Sequence, residues 1–216
     1  MKVLVFSDIH SDAQTLARLV STEADYYFCA GDLVNWGRRL DAMGEILKPL
    51  GDRLFLIPGN HESASQITDL CNRFGFRDFH GRHVELGGFL FTGLGYSNPT
   101  PFDTPGEYSE AELEERLHAF DGLAPMVAIC HAPPHGTMLD RITNLKHVGS
   151  RSVREFLQRE KPRYFFCGHI HEAAGVTEKL GVTSAMNVGK HGYLLDFEEQ
   201  RRRGFIGNGL VQLEIK

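Results

Sequence analysis

The chain has 216 residues, 42% of them hydrophobic, enough to bury one substantial core, and residues 1–216 read as a single domain. A formal charge of −5 argues against a broad basic face for nucleic acid, and Arg201-Arg-Arg203 is the only dense basic run. No apolar stretch approaches a membrane span, and Met1–Phe6 leads into Ser7-Asp8 with no small-residue cleavage site, which predicts a cytoplasmic protein without a signal peptide.

Lys2-Val-Leu-Val-Phe6 is a short continuous apolar run, the pattern of a strand buried on both faces, and it ends at Asp8-Ile9-His10. Asp12 then caps a helix whose apolar face is Ala13, Leu16, Leu19 and Val20. The run Tyr26-Tyr-Phe-Cys-Ala30 ends at Gly31-Asp32, with Leu40, Met43, Leu47 and Leu50 on the next helical face. Arg53-Leu-Phe-Leu-Ile57 ends at Pro58-Gly-Asn-His-Glu62, and Ile67, Leu70, Cys71 and Phe74 mark a third helix. Alternating strands and helices imply a parallel sheet with right-handed crossovers.

The pattern then changes. Residues 83–94 read as two short strands joined at Gly87-Gly88, and residues 96–109, with three prolines, as a long loop of the kind that is often functional. Ser109-Glu-Ala-Glu112 fits a capping box for a helix to about Phe120. Met126-Val-Ala-Ile-Cys130 ends at His131, a Pro-Pro loop follows, and Val153, Phe156 and Leu157 mark a helix. Arg163-Tyr-Phe-Phe-Cys167 ends at Gly168-His169-Ile170-His171. Segments 182–188, 192–198 and 209–215 read as strands without intervening helices, which predicts a second, largely antiparallel sheet.

Polar groups therefore follow five apolar runs, and strand ends that converge at one sheet edge are where open α/β folds place their sites. Asp8, His10, Asp32, Asn60, His131, His169 and His171 are seven candidate metal ligands, and His61 is a spare histidine. Carboxylate, imidazole and amide oxygen together suit borderline divalent ions such as Mn, Fe, Zn or Co better than calcium. Asp8 and His10 can reach one ion, and Asp32 is short enough to bridge two, at the roughly 3.5–4 Å spacing of metal pairs. Two divalent ions, two aspartates and a bridging hydroxide leave a net positive site that prefers an anion, such as a phosphoryl group attacked in line. The cysteines form no Cys-x-x-Cys pair, so Cys29, Cys71, Cys130 and Cys167 read as core side chains in a reducing compartment.

Asp8-x-His10, Gly31-Asp32, Gly59-Asn60-His61-Glu62, His131 and Gly168-His169-x-His171 together resemble the motif set of the calcineurin-like metallophosphoesterases, from residue 3 to about 190. The resemblance implies a four-layer αββα sandwich of two mixed β-sheets flanked by helices, with a dinuclear site at its edge. It implies that Asp8, His10 and His171 hold one metal, that Asp32 bridges, and that Asn60, His131 and His169 complete the second. His61 would protonate the leaving oxygen or hold a phosphate oxygen. That agrees with the residue chemistry, since an imidazole beside a cationic site is a plausible general acid.

Two departures narrow the subfamily. Where protein Ser/Thr phosphatases of the superfamily carry Gly-Asp-x-Val-Asp-Arg-Gly, this chain has Asn35 and Trp36 in place of the Asp and the Arg, which removes a carboxylate and a phosphate-binding guanidinium. His131-Ala-Pro-Pro-His-Gly136 and His169-Ile-His-Glu-Ala-Ala-Gly175 resemble small Icc-type and class III cyclic-nucleotide phosphodiesterases. The implied activity is diester hydrolysis on a small phosphoester, with a nucleotide as one form. The alternatives are a phosphomonoesterase, a nucleotide pyrophosphatase, a nuclease and, least favoured, a non-enzymatic scaffold. A lid made by residues 96–109 would favour small substrates and an open groove polymers.

Other residues carry weaker expectations. His135 and His147 lie close in sequence to the site and are candidates for touching substrate. His80, His83 and His118 read as surface or ordinary hydrogen-bonded residues. Lys190 and His191 follow a strand and either reach a phosphate or form a plain turn. Glu62 either orients a neighbour or caps the next helix, and Trp36 and Tyr96 either stack on a base or simply pack.

Overall fold

The computed structural model describes residues 1–143 and 146–198 and the backbone of 210–212. The predicted alternation is present as β1 (Lys2–Phe6), α1 (Ala13–Val20), β2 (Tyr26–Cys29), α2 (Leu40–Leu47), β3 (Leu54–Leu56) and α3 (Ala64–Phe74). A two-residue strand, β4 (Arg77–Asp78), precedes the hairpin of β5 (Arg82–Leu86) and β6 (Phe89–Leu94), which turns at Gly87-Gly88 with Leu86 opposite Phe89. Then come α4 (Glu110–Leu117), β7 (Met126–Cys130), α5 (Arg151–Glu160), β8 (Tyr164–Cys167), β9 (Thr177–Leu180), β10 (Thr183–Asn187), β11 (Tyr193–Asp196) and β12 (Leu210–Gln212). The helices start where side chains can satisfy free backbone amides. Asp12 accepts from Thr15 N, and Ser63 with Gln66 and Ser109 with Glu112 form reciprocal capping boxes.

Among the described residues the strands form two six-stranded sheets, ordered β12-β11-β1-β2-β3-β4 and β5-β6-β7-β8-β10-β9. The last three predicted strands do not build a sheet of their own. Segment 182–188 forms β10, parallel to β8, while 192–198 forms β11, antiparallel to β1 at the far side of the first sheet. Of 209–215, the described part is β12, beside β11. The second sheet is mainly parallel, because β6, β7, β8 and β10 pair parallel and only β5 and β9 run against their neighbours. Burial explains where β11 goes: Tyr193 and Leu195 complete the core layer that contains Val3 and Val5. Arg201–Arg203 lies outside the described residues.

Side-chain alternation along the strands produces three apolar layers. Leu4 and Phe6 face α1–α3 with Leu16, Leu19, Met43 and Ile67. Val3, Val5, Phe28 and Phe55 face Phe91, Val127, Ile129 and Phe166 across the space between the sheets. Ala128, Cys130, Phe165 and Cys167 face α4 and α5 through Leu113, Leu117, Val153 and Phe156. Two helical layers outside two sheets make the αββα sandwich, and the four cysteines are free and buried, as expected of core residues. Phe55, Phe28 and Phe91 stack in sequence, with centroids 4.6 and 5.0 Å apart, and tie the sheets together at their centre.

Parallel register aligns the strand ends. Phe6 pairs with Cys29 and Cys29 with Leu56, while Leu94 pairs with Cys130 and Cys167 with Asn187. The segments that follow all emerge at one edge of the sandwich. Among the described residues no helix is long and apolar enough to cross a membrane.

His80 is not a surface residue but an ordinary hydrogen-bonded one, held neutral. Its Nδ1 accepts from Gly95 N at 3.0 Å, which leaves Nε2 to donate to the Tyr108 hydroxyl at 3.1 Å. Burial pushes its pKa down to about 4, against the pull of Asp78. The unfolded chain takes up this proton near pH 6.5 and the folded chain only near 4, so stability is lost as pH falls through that window, by about 3 kcal/mol in total. His80→Asn keeps an acceptor for Gly95 N but cannot titrate. Urea unfolding of chelator-treated protein at pH 7 and pH 4.5 should therefore show a smaller acid loss in the variant, by about 2 kcal/mol; equal losses would reject the assignment.

Candidate functional site

The loops after β1, β2, β3, β7 and β8 bring all seven predicted ligands and His61 to the common edge. Backbone hydrogen bonds knit these loops to one another: Asp8 N donates to Gly31 O, His10 N to Asp32 O, and Gly168 N to His131 O. Asp8, His10, Asp32 and His169 have positive φ, between 48° and 70°. Glycine would relieve that strain, on the order of 1–3 kcal/mol per residue, but would remove the ligand. Glycines stand beside them for a different reason. A Cβ at Gly59 would collide with the Asp32 carboxylate, and one at Gly168 would collide with Ser7 and Asp8.

The side chains form three overlapping clusters: Asp8, His10 and His171; His10, Asp32 and His61; and Asp32, His131 and His169. In the first, His10 Nε2 faces His171 Nε2 at 2.9 Å, and His171 Nε2 lies 3.9 Å from Asp8 Oδ1. In the third, Asn60 Oδ1 lies 3.0 Å from His131 Nε2 and 2.9 Å from His169 Nδ1. Asp32 Oδ2 sits between the two groups, 3.4 Å from His131 Nε2 and 3.7 Å from His10 Nε2. Bonds of about 2.0–2.2 Å to one ion set neighbouring donors roughly 3–3.5 Å apart. Two ring nitrogens facing each other at 2.9 Å need either a shared proton or a cation between them. This donor set suits divalent metals.

A second ring of contacts aims these donors. His10 Nδ1 donates to Asn35 Oδ1 at 2.8 Å and His131 Nδ1 to Ala30 O at 2.8 Å, so in each ring Nε2 is the atom offered to the site. His61 N donates to Asp32 Oδ1, leaving Oδ2 for the clusters, and His169 N donates to both oxygens of Asp8. The Asn60 amide is oriented from the loop at 96–109. Its Nδ2 donates to Thr104 Oγ1 at 3.1 Å, and that hydroxyl is committed as donor to Glu107 Oε1 at 2.5 Å. Asn60 Oδ1 must then face the histidines.

Electrostatics follow from burial. Burial alone would raise Asp32, but His131 holds it well below the usual carboxylate range. Burial would lower His131, but the same pairing raises it to about 9. A cation on His131 Nε2 would have to displace that proton. Burial, with His131 and His171 adding, pushes His169 down to about 3 and keeps it neutral. Burial also lowers His61, whose Nδ1 accepts from Trp36 N at 3.3 Å.

Of the two roles open to Glu62, the structure shows the orienting one, and the contacts of Asn35 and Thr104 were not predicted. Glu62 is fully buried and accepts from Asp32 N, Val34 N and Gly59 N, so it orients two ligand loops, while Ser63 is the helix cap. Burial and Asp32 push it up to about 8. Asn35 supplies an amide oxygen to His10. The clue to Thr104 and Glu107 was modest, a Thr and a Glu in a loop already marked as functional.

The weaker candidates divide. His147 Nδ1 donates to the buried Asp140 at 2.7 Å and His135 lies 3.6 Å from it, so both histidines brace the loop after β7. Tyr96 accepts from Ala64 N and packs on His80 and Tyr108 rather than standing free for a base. Trp36 is about half exposed and meets His61 edge-on at 5.7 Å. His118 is exposed and pairs with Asp121, and His83 is exposed on β5. Lys190 and His191 form a helical turn bordering a cavity of about 530 Å³ shared with His10, His61 and His171, and Lys190 Nζ lies 3.3 Å from Asp12. A second cavity, about 580 Å³, opens on Asp32, Asn60, His61 and His169, and Pro99–Phe102 of the loop forms one wall.

A calcineurin-like phosphoesterase family model matches residues 1–173. The chain is 32% identical over 202 residues to uncharacterized protein MJ1162 of Methanocaldococcus jannaschii, spanning 90% of this chain and 91% of that one. It is 25% identical over 181 residues to a Synechococcus protein named "Probable cyclic nucleotide phosphodiesterase", spanning 78% of this chain and 68% of that one. The crystal structure of TT1561 from Thermus thermophilus has the same fold, with a TM-score of 0.70 at 20% identity over 92% of this chain and 95% of that one.

Proposed function

The chain belongs to the calcineurin-like phosphoesterases, and from that premise we propose that it is a single-domain, dinuclear metal-dependent phosphodiesterase acting on small phosphoesters. The observation that carries the reading is Asp32 Oδ2, which lies within 3.4 Å of a donor in one cluster and 3.7 Å of a donor in the other. Asp8, His10 and His171 would hold one divalent ion, Asn60, His131 and His169 the other, and Asp32 would be shared. Mn, Fe, Zn and Co all suit this mixture of nitrogen and oxygen donors. Bound there, the ions would supply Lewis acidity and an activated water.

The protein's own part is orientation and proton handling. Hydrolysis forms one phosphorus–oxygen bond from water and breaks the bond to the leaving oxygen, which must acquire a proton. His61 is assigned to that proton: its Nδ1 is engaged by Trp36 N–H, so Nε2 is the atom left to face the reacting group. The wall made by Pro99–Phe102 favours small substrates over polymers. Lys190 is drawn toward Asp12, and among the described residues no arginine borders either cavity, so beyond the metals a doubly charged terminal phosphate finds no guanidinium and, in the larger cavity, one exposed lysine, Lys146.

Purified protein loaded in turn with Mn, Zn, Mg or Co should therefore cleave bis-nitrophenyl phosphate with a higher kcat/KM than mononitrophenyl phosphate under the same metal. A reversed ratio would make it a phosphomonoesterase.

A further inference from the structure

We propose that the 580 Å³ cavity beside the predicted metal centre is a preformed slot for an aromatic group carried by the phosphoester, with Phe102 as the wall that sets specificity. The proposal rests on the phosphoesterase reading and adds a substrate class to it.

The slot has a polar floor and apolar sides. The floor is Asp32, Asn60, His61 and His169, where a phosphoryl group belongs; the sides are Pro99, Pro101 and Phe102 against Ile142 and Val148. Phe102 is 72% exposed, the highest value among the exposed large hydrophobic residues described, the others being Trp36, Met138 and Val182. A ring left in water at the mouth of a cavity has no packing role in the free protein and gains from a flat apolar partner. Proline and phenylalanine faces suit a planar ring, and Thr100, Lys146 and Glu172 add polar groups to the lining.

The walls are also held apart at a set distance. Asn98 Nδ2 donates to Val148 O at 3.0 Å, joining one wall to the other. Glu107 gathers the loop from inside, accepting from Thr100 N and Oγ1 and from Thr104 N and Oγ1. Gly106 N donates to Asn60 O, tying the loop to the floor. A slot already built loses little ordering entropy when it fills.

Methyl-, phenyl- and n-hexylphosphonate test this, because they share a non-hydrolysable anionic head and differ only in what enters the slot. Calorimetric titration of the manganese-loaded protein should give phenylphosphonate a Kd at least about tenfold lower than methylphosphonate. Phe102→Ala should bring that ratio close to one, and Phe102→Leu should restore part of it. Equal affinities for phenyl and methyl in the native protein would overturn the proposal, as would a ratio unchanged by Phe102→Ala. Hexylphosphonate binding as tightly as phenylphosphonate would replace an aromatic slot with a merely greasy one. If none of the three binds, the phosphoesterase reading itself fails and takes the slot with it.

Discussion

Asp32→Ala is expected to weaken metal binding at both positions by more than about 100-fold, beyond the 10–100-fold typical of residues that only support a ligand. Among the described residues its Oδ2 is the one carboxylate oxygen placed toward both donor clusters, so no other side chain there can substitute for it. Asn60→Ala should instead weaken mainly one ion, because Asn60 Oδ1 faces only His131 and His169. Elemental analysis after dialysis, with circular dichroism to confirm folding, separates the outcomes. Full loading of Asp32→Ala would reject the shared carboxylate and leave two independent sites or one.

The second large effect concerns His61. If it protonates the leaving oxygen, its value depends on how poorly that oxygen leaves. Nitrophenolate departs readily, whereas a ribose or alkyl oxygen does not. His61→Gln should cost little with a nitrophenyl ester and on the order of 10²–10⁴-fold in kcat with an alkyl or nucleotide diester, at unchanged metal content. Equal losses on both substrates would mean that His61 stabilises charge on the phosphoryl oxygens instead. Loss of metal would make it a ligand.

Much of this site can be read from the chain because each predicted ligand directly follows its own apolar run. Local periodicity finds β1, β2, β3, β7 and β8, and parallel register then brings their ends together. What escaped is long-range. Thr104 meets Asn60 across 44 positions and Glu62 meets Asp32 across 30, and neither spacing leaves a local pattern. The side chosen by β11 was hidden for the same reason, since an apolar run does not say which open edge will bury it. Strand β9, Thr-Glu-Lys-Leu at a sheet edge, lacks an apolar run altogether. The helix starts predicted at Asp12 and Ser109, by contrast, came out as read, because a cap and its amide are three residues apart, whereas α3 is capped by Ser63 and not by Glu62.

The Asn60 side chain joins two tasks in one rigid amide. Its oxygen serves the histidines and its nitrogen serves Thr104, so it behaves as a rotor with two settings, and the hydroxyl of Thr104, committed to Glu107, selects one. Pulling the loop outward would free the nitrogen and release that choice, so opening the wall and misdirecting the oxygen are a single event. Linkage makes the relation reciprocal: whatever occupies the oxygen side also holds the loop down, and by the same factor. In such an arrangement the donor clusters and the cavity walled by the loop cannot drift independently, and a change in either is felt by the other through one rotatable bond.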